Sequence, residues 1–217
     1  MKNVFNAIKY NPLWCGIGYS DFENMIGCME AKMWRYGKGD VVLLSGDTVN
    51  YIGLIVSGSV KIIKEDLGGD ITILTELAAP ELFGEVFACA GVDHSPVTVQ
   101  AAEVSEILFL NYKRVITTCS SACVFHSKLI ENMLKIIAQK NLRLNRKIEI
   151  LSKRKTREKL LCFFDEQRGM AKKFIVPYNR EEMANFLCVD RSAMSNELCK
   201  MRDEGLIRFH KNEFELF

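Results

Sequence analysis

Between residues 32 and 111 the chain alternates short runs rich in Val, Ile, Leu and Thr with clusters of Gly, Pro and Asp. The apolar runs are "DVVLLSGD", "YIGLIVSGSVKIIKED", "DITILTEL" and "SPVTVQAAEVSEILFLN", and the breaks are "YGKGD", "SGD", "LGGD" and "AAPELFGE". Such runs at this spacing predict an all-β unit, a small barrel or roll. Ahead of it, "SDFENMIGCM" sets Phe22, Met25, Ile26 and Met29 at helical spacing behind Ser20 or Asp21 as a cap, which predicts a short helix packed on the roll.

From about Ser121 to Leu151 Gly and Pro are absent and the apolar period becomes helical. Leu134, Ile137, Asn141, Leu144, Ile148 and Leu151 recur at alternating spacings of three and four, a heptad seam with one polar position. Two readings fit: an amphipathic helix packed on its own core, or one half of a parallel dimer in which a buried Asn fixes the register. The length, about 45 Å at 1.5 Å per residue, favours the dimer, because a single chain has little core to cover so long a helix.

"TREKLLCFFDEQRG", residues 156–169, predicts a further helix stopped at Gly169, and "AKKFIVPY" a strand. Asn179 and Glu182 form an N-x-x-E capping pair that opens "REEMANFL", whose inner positions are Met183, Phe186 and Leu187. A three-residue turn, "CVD", leads to Asp190, the cap of a second helix in which Met194, Leu198 and Met201 share one face and Gly205 supplies a left-handed exit. "LIRF" and "EFELF" around "HKN" make a terminal hairpin. Two helices, a tight turn and a hairpin form a winged helix-turn-helix, whose second helix enters a DNA major groove N-terminus first.

That order explains an unusual helix start. A plain surface helix favours Glu, Lys and Ala; this one presents Arg191, Ser192, Ser195 and Asn196. Arg191 is suited to guanine O6 and N7, Asn196 to adenine, and the two serines allow close approach. Arg180, Lys200, Arg208 and Lys211 are expected at phosphates. Charge agrees: residues 1–120 carry 9 Lys and Arg against 14 Asp and Glu, residues 121–217 carry 20 against 13. An acidic first half and a basic second half suggest two domains, the second facing a polyanion.

Other classes fare worse. The three histidines, 94, 126 and 210, fall in three different parts, and no nucleophile motif, phosphate-cradling Gly loop or metal-ligand spacing occurs, so an enzyme is not expected. A ligand-binding module acting on a protein partner would have no need of residues 179–217. The first residues, "MKNVFNAIKYNPLW", lack the continuous apolar stretch of a signal peptide, and no run approaches the roughly 20 apolar residues of a membrane helix. With eight scattered cysteines and no CxxC pair, the expectation is a cytoplasmic protein with reduced thiols and no membrane partner.

The chain resembles the Crp/Fnr family of bacterial transcription regulators over nearly its whole length. The resemblance is carried by "SGD" (45–47), "IVSGSVKI" (55–62), "GGD" (68–70), "LFGE" (82–85) and, most specifically, "NREEMANFLCVDRSAMSNELCKMRDEGLI". It implies an α+β chain with an effector-sensing β-roll over 1–120, a dimerisation helix over 121–152 and a winged helix-turn-helix over 153–217. It further implies a homodimer on double-stranded, near-palindromic DNA, with RNA polymerase as a partner. The family's effector pocket pairs a Gly-Glu on the ribose with an Arg-Ser on the cyclic phosphate. Gly84 and Glu85 match the first pair, but Ser95 and Pro96, ahead of Val97, stand where the Arg and Ser belong. His94 beside them is a poor substitute for a bidentate guanidinium, and Pro96 lacks a backbone donor. The polar pair that contacts adenine from the dimer helix is here Arg143 and Leu144. Cyclic AMP in the usual pose is therefore not expected. An iron–sulfur cluster on cysteines such as Cys15 and Cys28, and a haem with His94 as axial ligand, are alternatives; Cys119 and Cys123 are expected in helical core. The main expectation is an unidentified small-molecule effector, or a pocket that has lost its ligand.

Overall fold

The structure, a computed structural model, describes residues 1–66, 68, 71–117 and 124–217. Cys119, Cys123 and part of "GGD" lie outside the described residues. In chain order the elements are α1 (Lys2–Ile8), a 3-10 turn (Pro12–Trp14), α2 (Tyr19–Cys28), β1 (Lys32–Tyr36), β2 (Val41–Leu43), β3 (Tyr51–Ser57), β4 (Ser59–Glu65), β5 (Ile71–Ala78), β6 (Leu82–Phe83), α3 (Glu85–Cys89), β7 (Thr98–Ala101), β8 (Ser105–Asn111) and α4 (Tyr112–Ile116). They continue with α5 (Val124–Ser152), α6 (Thr156–Arg168), β9 (Lys173–Ile175), α7 (Arg180–Leu187), α8 (Arg191–Asp203), β10 (Ile207–His210) and β11 (Glu213–Leu216). Contacts divide the chain into two compact units, Met1–Ala138 and Gln139–Phe217.

The first unit is a roll of two four-stranded antiparallel sheets, ordered β1-β8-β3-β6 and β2-β7-β4-β5. Alternation along the first sheet gives it two apolar faces. One face, with Leu54, Leu108 and Leu110, joins Trp14, Phe22, Met25 and Met29 of the N-terminal helices in the larger core. The other, with Ile55, Phe83 and Ile107, meets Val60 and Val99 of the second sheet. The tip of the Phe83 ring reaches Gly53 of β3, where a Cβ would stand 2.1 Å from it, so only glycine fits. The short α2 buries Phe22, Met25 and Ile26, with Met29 buried just past its end, but neither Ser20 nor Asp21 caps it: Gly18 holds the cap position and the helix starts earlier.

Helix α5 contributes Leu129, Met133 and Ile136 to the larger core, at i, i+4 and i+7. Asn132, buried beside them, donates to the carbonyls of Leu13 (2.9 Å) and Cys15 (2.8 Å), tying the helix to the N-terminal turn. The heptad seam lies roughly a quarter-turn away around the helix. On it Leu134, Leu144 and Ile148 are 61–64% exposed, Asn141 is exposed, Ile137 and Leu151 are half-buried. One face of the helix thus packs on the chain's own core, as the first reading expects, and the heptad face is left largely exposed.

The second unit is built on an aromatic core. Phe163 and Phe164 of α6 meet Phe174 of β9, Tyr178, Phe186 of α7 and Phe214 of β11, with ring centroids 4.6–6.2 Å apart. Such pairs add roughly 0.5–1.5 kcal/mol each beyond their area burial. β9 pairs with β11, so the terminal hairpin is a three-stranded sheet ordered β10-β11-β9.

Candidate functional site

Helix α7 opens on a complete capping box: the Asn179 side chain accepts from the Glu181 and Glu182 amides, and Glu182 accepts from the Asn179 amide at 2.8 Å. Its buried Met183 and Leu187 fix its inner face, and it ends at Cys188, which holds a left-handed backbone (φ 50°). The Lys159 ammonium, 2.9 Å from the Leu187 carbonyl, places a cation at that C-terminus, where the helix dipole favours one. Asp190 then caps α8, accepting from the Ala193 amide at 2.8 Å. Met194, Leu198 and Met201 are fully buried, so the opposite face of α8 must point away from the core.

On that face Arg191, Ser192, Asn196 and Lys200 are exposed and Ser195 is half-buried, its hydroxyl donating to the Arg191 carbonyl at 2.9 Å. Among the described residues, the side chains of Arg191, Ser192, Asn196 and Lys200 make no hydrogen bond or ion pair. The flank of α8 is fixed instead by Arg157 of α6, which ion-pairs with Glu197 and forks onto Glu204 at 2.7 and 2.8 Å. Those bonds hold the Glu204 carboxyl below its ordinary range and raise the Arg157 guanidinium. Sequence reasoning missed Arg157, because its partners lie 40 and 47 residues away.

Arg180, expected at a phosphate, is held by neighbours in its own unit. Its guanidinium sits 4.9 Å from the Phe209 ring centroid and 5.0 Å from that of Phe214, and donates to the Lys211 carbonyl at 3.2 Å. Burial lowers its pKa. In this structure it ties the start of α7 to the wing. Arg208 is shared between the Phe217 ring and Glu215, while Lys211 stands exposed at the turn between β10 and β11.

The expected effector residues divide. Gly84, at φ 79°, turns the chain from β6 into α3, and Glu85 behind it is buried. Ser95 is only 2% exposed and its hydroxyl is used within its own turn, donating to the Val97 carbonyl at 2.6 Å and accepting from the Val97 amide at 3.3 Å. Val97 is buried and Pro96 exposed. The His94 Nδ1 lies 2.9 Å from the Gly46 carbonyl. Arg143 and Leu144 are exposed on the part of α5 that belongs to the second unit.

A cavity of about 270 Å³ opens between the two sheets of the roll. Trp34, Tyr36, Tyr51, Phe83 and Phe109 wall it, with Lys32 at its rim and Gly84 the one expected pocket residue in its lining. Among the described residues no group of three or more His, Cys, Asp or Glu could hold a metal ion. No helix there is long and apolar enough to cross a membrane.

Comparison with known proteins follows this division. Residues 33–122 match the family model of the cyclic nucleotide-binding domain, and residues 158–216 that of the Crp-like helix-turn-helix domain. The chain is 22% identical to the Cyclic AMP receptor protein of Thermus thermophilus over 212 residues, covering 96% of this chain and 94% of that one. It is 21% identical to the Transcriptional activator protein FnrA of Stutzerimonas stutzeri, over 82% of this chain and 74% of that one. Among solved structures, the c-di-GMP responsive global regulator CLP of Xanthomonas campestris has a similar fold, with a TM-score of 0.55 at 18% identity over 90% of this chain and 99% of that one.

Proposed function

Because the chain belongs to the Crp/Fnr family of transcription regulators, with a cyclic nucleotide-binding domain and a helix-turn-helix, we propose that it acts as a homodimer whose roll responds to an effector other than cyclic AMP. The observation that carries the DNA-binding part is the start of α8: capped, anchored by three buried residues, and left with Arg191, Ser192, Ser195 and Asn196 on its outer face. Arg191 reads a guanine edge and Asn196 an adenine edge, while Lys200 and Lys211 contact phosphates. The open seam of α5 pairs with the same seam of a second copy, which sets two reading helices about 34 Å apart on half-sites of a near-palindrome. Occupancy of the roll changes how those seams meet, and only one arrangement suits the operator. RNA polymerase is the further partner, and the cytoplasm its place of work.

Ser95 supports the departure from cyclic AMP. Its buried, internally bonded hydroxyl and the neighbouring Pro96 offer a cyclic phosphate nothing.

The test is fluorescence anisotropy on the protein's own upstream DNA, at two salt concentrations, with and without cyclic AMP. Salt-sensitive, sequence-selective binding that cyclic AMP leaves unchanged is expected. Arg191→Ala should lose about 1–3 kcal/mol of discrimination at one base pair, with stability intact. Equal weakening on every sequence would make Arg191 a phosphate contact and refute its assignment.

A further inference from the structure

The cavity between the sheets differs in chemistry from a nucleotide site. Its walls are aromatic and aliphatic: Trp34, Tyr36, Tyr51, Phe83 and Phe109 with Val42 and Leu43. Among the described residues no carboxylate or amide side chain lines it, so the hydroxyls of a sugar would enter without side-chain acceptors other than Thr48 and the two tyrosines. At about 270 Å³ it holds roughly nine waters' worth of volume, just below the range usual for drug-sized ligands. One cation reaches its rim. The Lys32 ammonium stands 3.4 Å from the Tyr51 hydroxyl and 5.4 Å from that ring's centroid, and it forms no ion pair among the described residues. Nearly half of Trp34 is covered, yet 57% of it remains exposed at the mouth, a flat surface for stacking.

A single ammonium over an open aromatic slot selects a ligand with one flat ring system and one anionic oxygen group. We infer that this cavity binds a small aromatic carboxylate, its ring between the aromatic walls and its carboxylate on Lys32. The inference rests on reading the roll as the effector-sensing unit. A charge-assisted hydrogen bond sets the orientation, and ring burial supplies most of the affinity. Tyr51, already the neighbour of Lys32, is placed to donate to the second carboxylate oxygen.

The full chain is titrated by calorimetry with 2-naphthoate, with its uncharged counterpart 2-naphthylmethanol, and with cyclic AMP. One naphthoate per chain is expected, bound at least about tenfold more tightly than the alcohol. Lys32→Met should weaken naphthoate by about tenfold and leave the alcohol unchanged. Trp34→Ala should weaken both. Both positions are exposed, so circular dichroism should find each variant folded. Naphthoate binding that neither substitution alters, no binding of naphthoate, or tight binding of cyclic AMP in competition with it would each overturn the assignment. DNA anisotropy on the same samples separates the two readings. If naphthoate binds as described and DNA affinity does not move, the site stands and its effector role fails. If cyclic AMP alone moves DNA affinity, the site fails and the roll remains a sensor.

Discussion

Arg180→Met separates two roles that one arginine can play in a winged helix. The guanidinium lies over two rings at 4.9 and 5.0 Å in a half-buried setting, worth roughly 1 kcal/mol for each cation–π contact. Its 3.2 Å bond to the Lys211 carbonyl adds about 1 kcal/mol. Methionine keeps the apolar stem and part of the ring contact, so the net loss should be about 2 kcal/mol. For a unit of 60–100 residues this lowers the melting midpoint by roughly 8–16 °C, read by calorimetry on the C-terminal transition. Amide exchange should quicken across β10 and β11, because the turn carrying Lys211 loses its tie to α7. The slope of log affinity against log salt on DNA should not change, because the pinned guanidinium displaces no counterion. A melt like the wild type together with a slope shallower by about one would refute the pin and restore Arg180 to the phosphates.

Three further outcomes are expected. Asp190→Ala removes the cap of α8 and should cost about 1 kcal/mol in urea denaturation, whereas Asp190→Ser should keep most of it. Replacing both Leu144 and Ile148 by Lys should weaken self-association by at least about a hundredfold in sedimentation experiments, from the ~1.5–3 kcal/mol of burial lost at each. A pair that still dimerises would place the interface elsewhere. Because Arg157 lowers the folded pKa of Glu204, that carboxylate's contribution is complete above its unfolded value and is lost as pH falls through the lower folded one. Arg157→Met should therefore flatten the acid limb of the stability profile, measured as midpoint against pH.

Periodicity and caps made the C-terminal unit legible almost residue by residue. The capping box at Asn179, the cap at Asp190 and the buried trio Met194, Leu198 and Met201 are local patterns that sequence alone encodes. The strands of the roll were legible as runs, but β1 and β6 were not separated from their surroundings. β6 is two residues long and its strand character comes from pairing with β3, some thirty positions earlier. The N-terminal α1 and its turn were passed over, although their Leu13 and Trp14 are among the most buried residues of the chain. The aromatic cavity lay outside sequence reasoning for a related reason. Its walls come from β1, β2, β3, β6 and β8, and alternation cannot say which aromatic residues converge. The ring contacts of Arg180 were not legible either, because a basic residue opening a helix-turn-helix has the same local signature whether or not it lies over a neighbouring ring.

The outer face of α8 carries one more consequence. Arg191, Ser192 and Asn196 hold up no other part of the molecule, while Glu197 among them is fastened by Arg157. On the proposed reading of this face, Arg191, Ser192 and Asn196 are therefore free to change without a toll on folding, whereas the neighbouring Glu197 is not. Over generations such a protein can acquire new operators by single substitutions at 191, 192 or 196. Glu197 resists that drift, so a lineage diverging in its target genes should vary beside this glutamate and keep it.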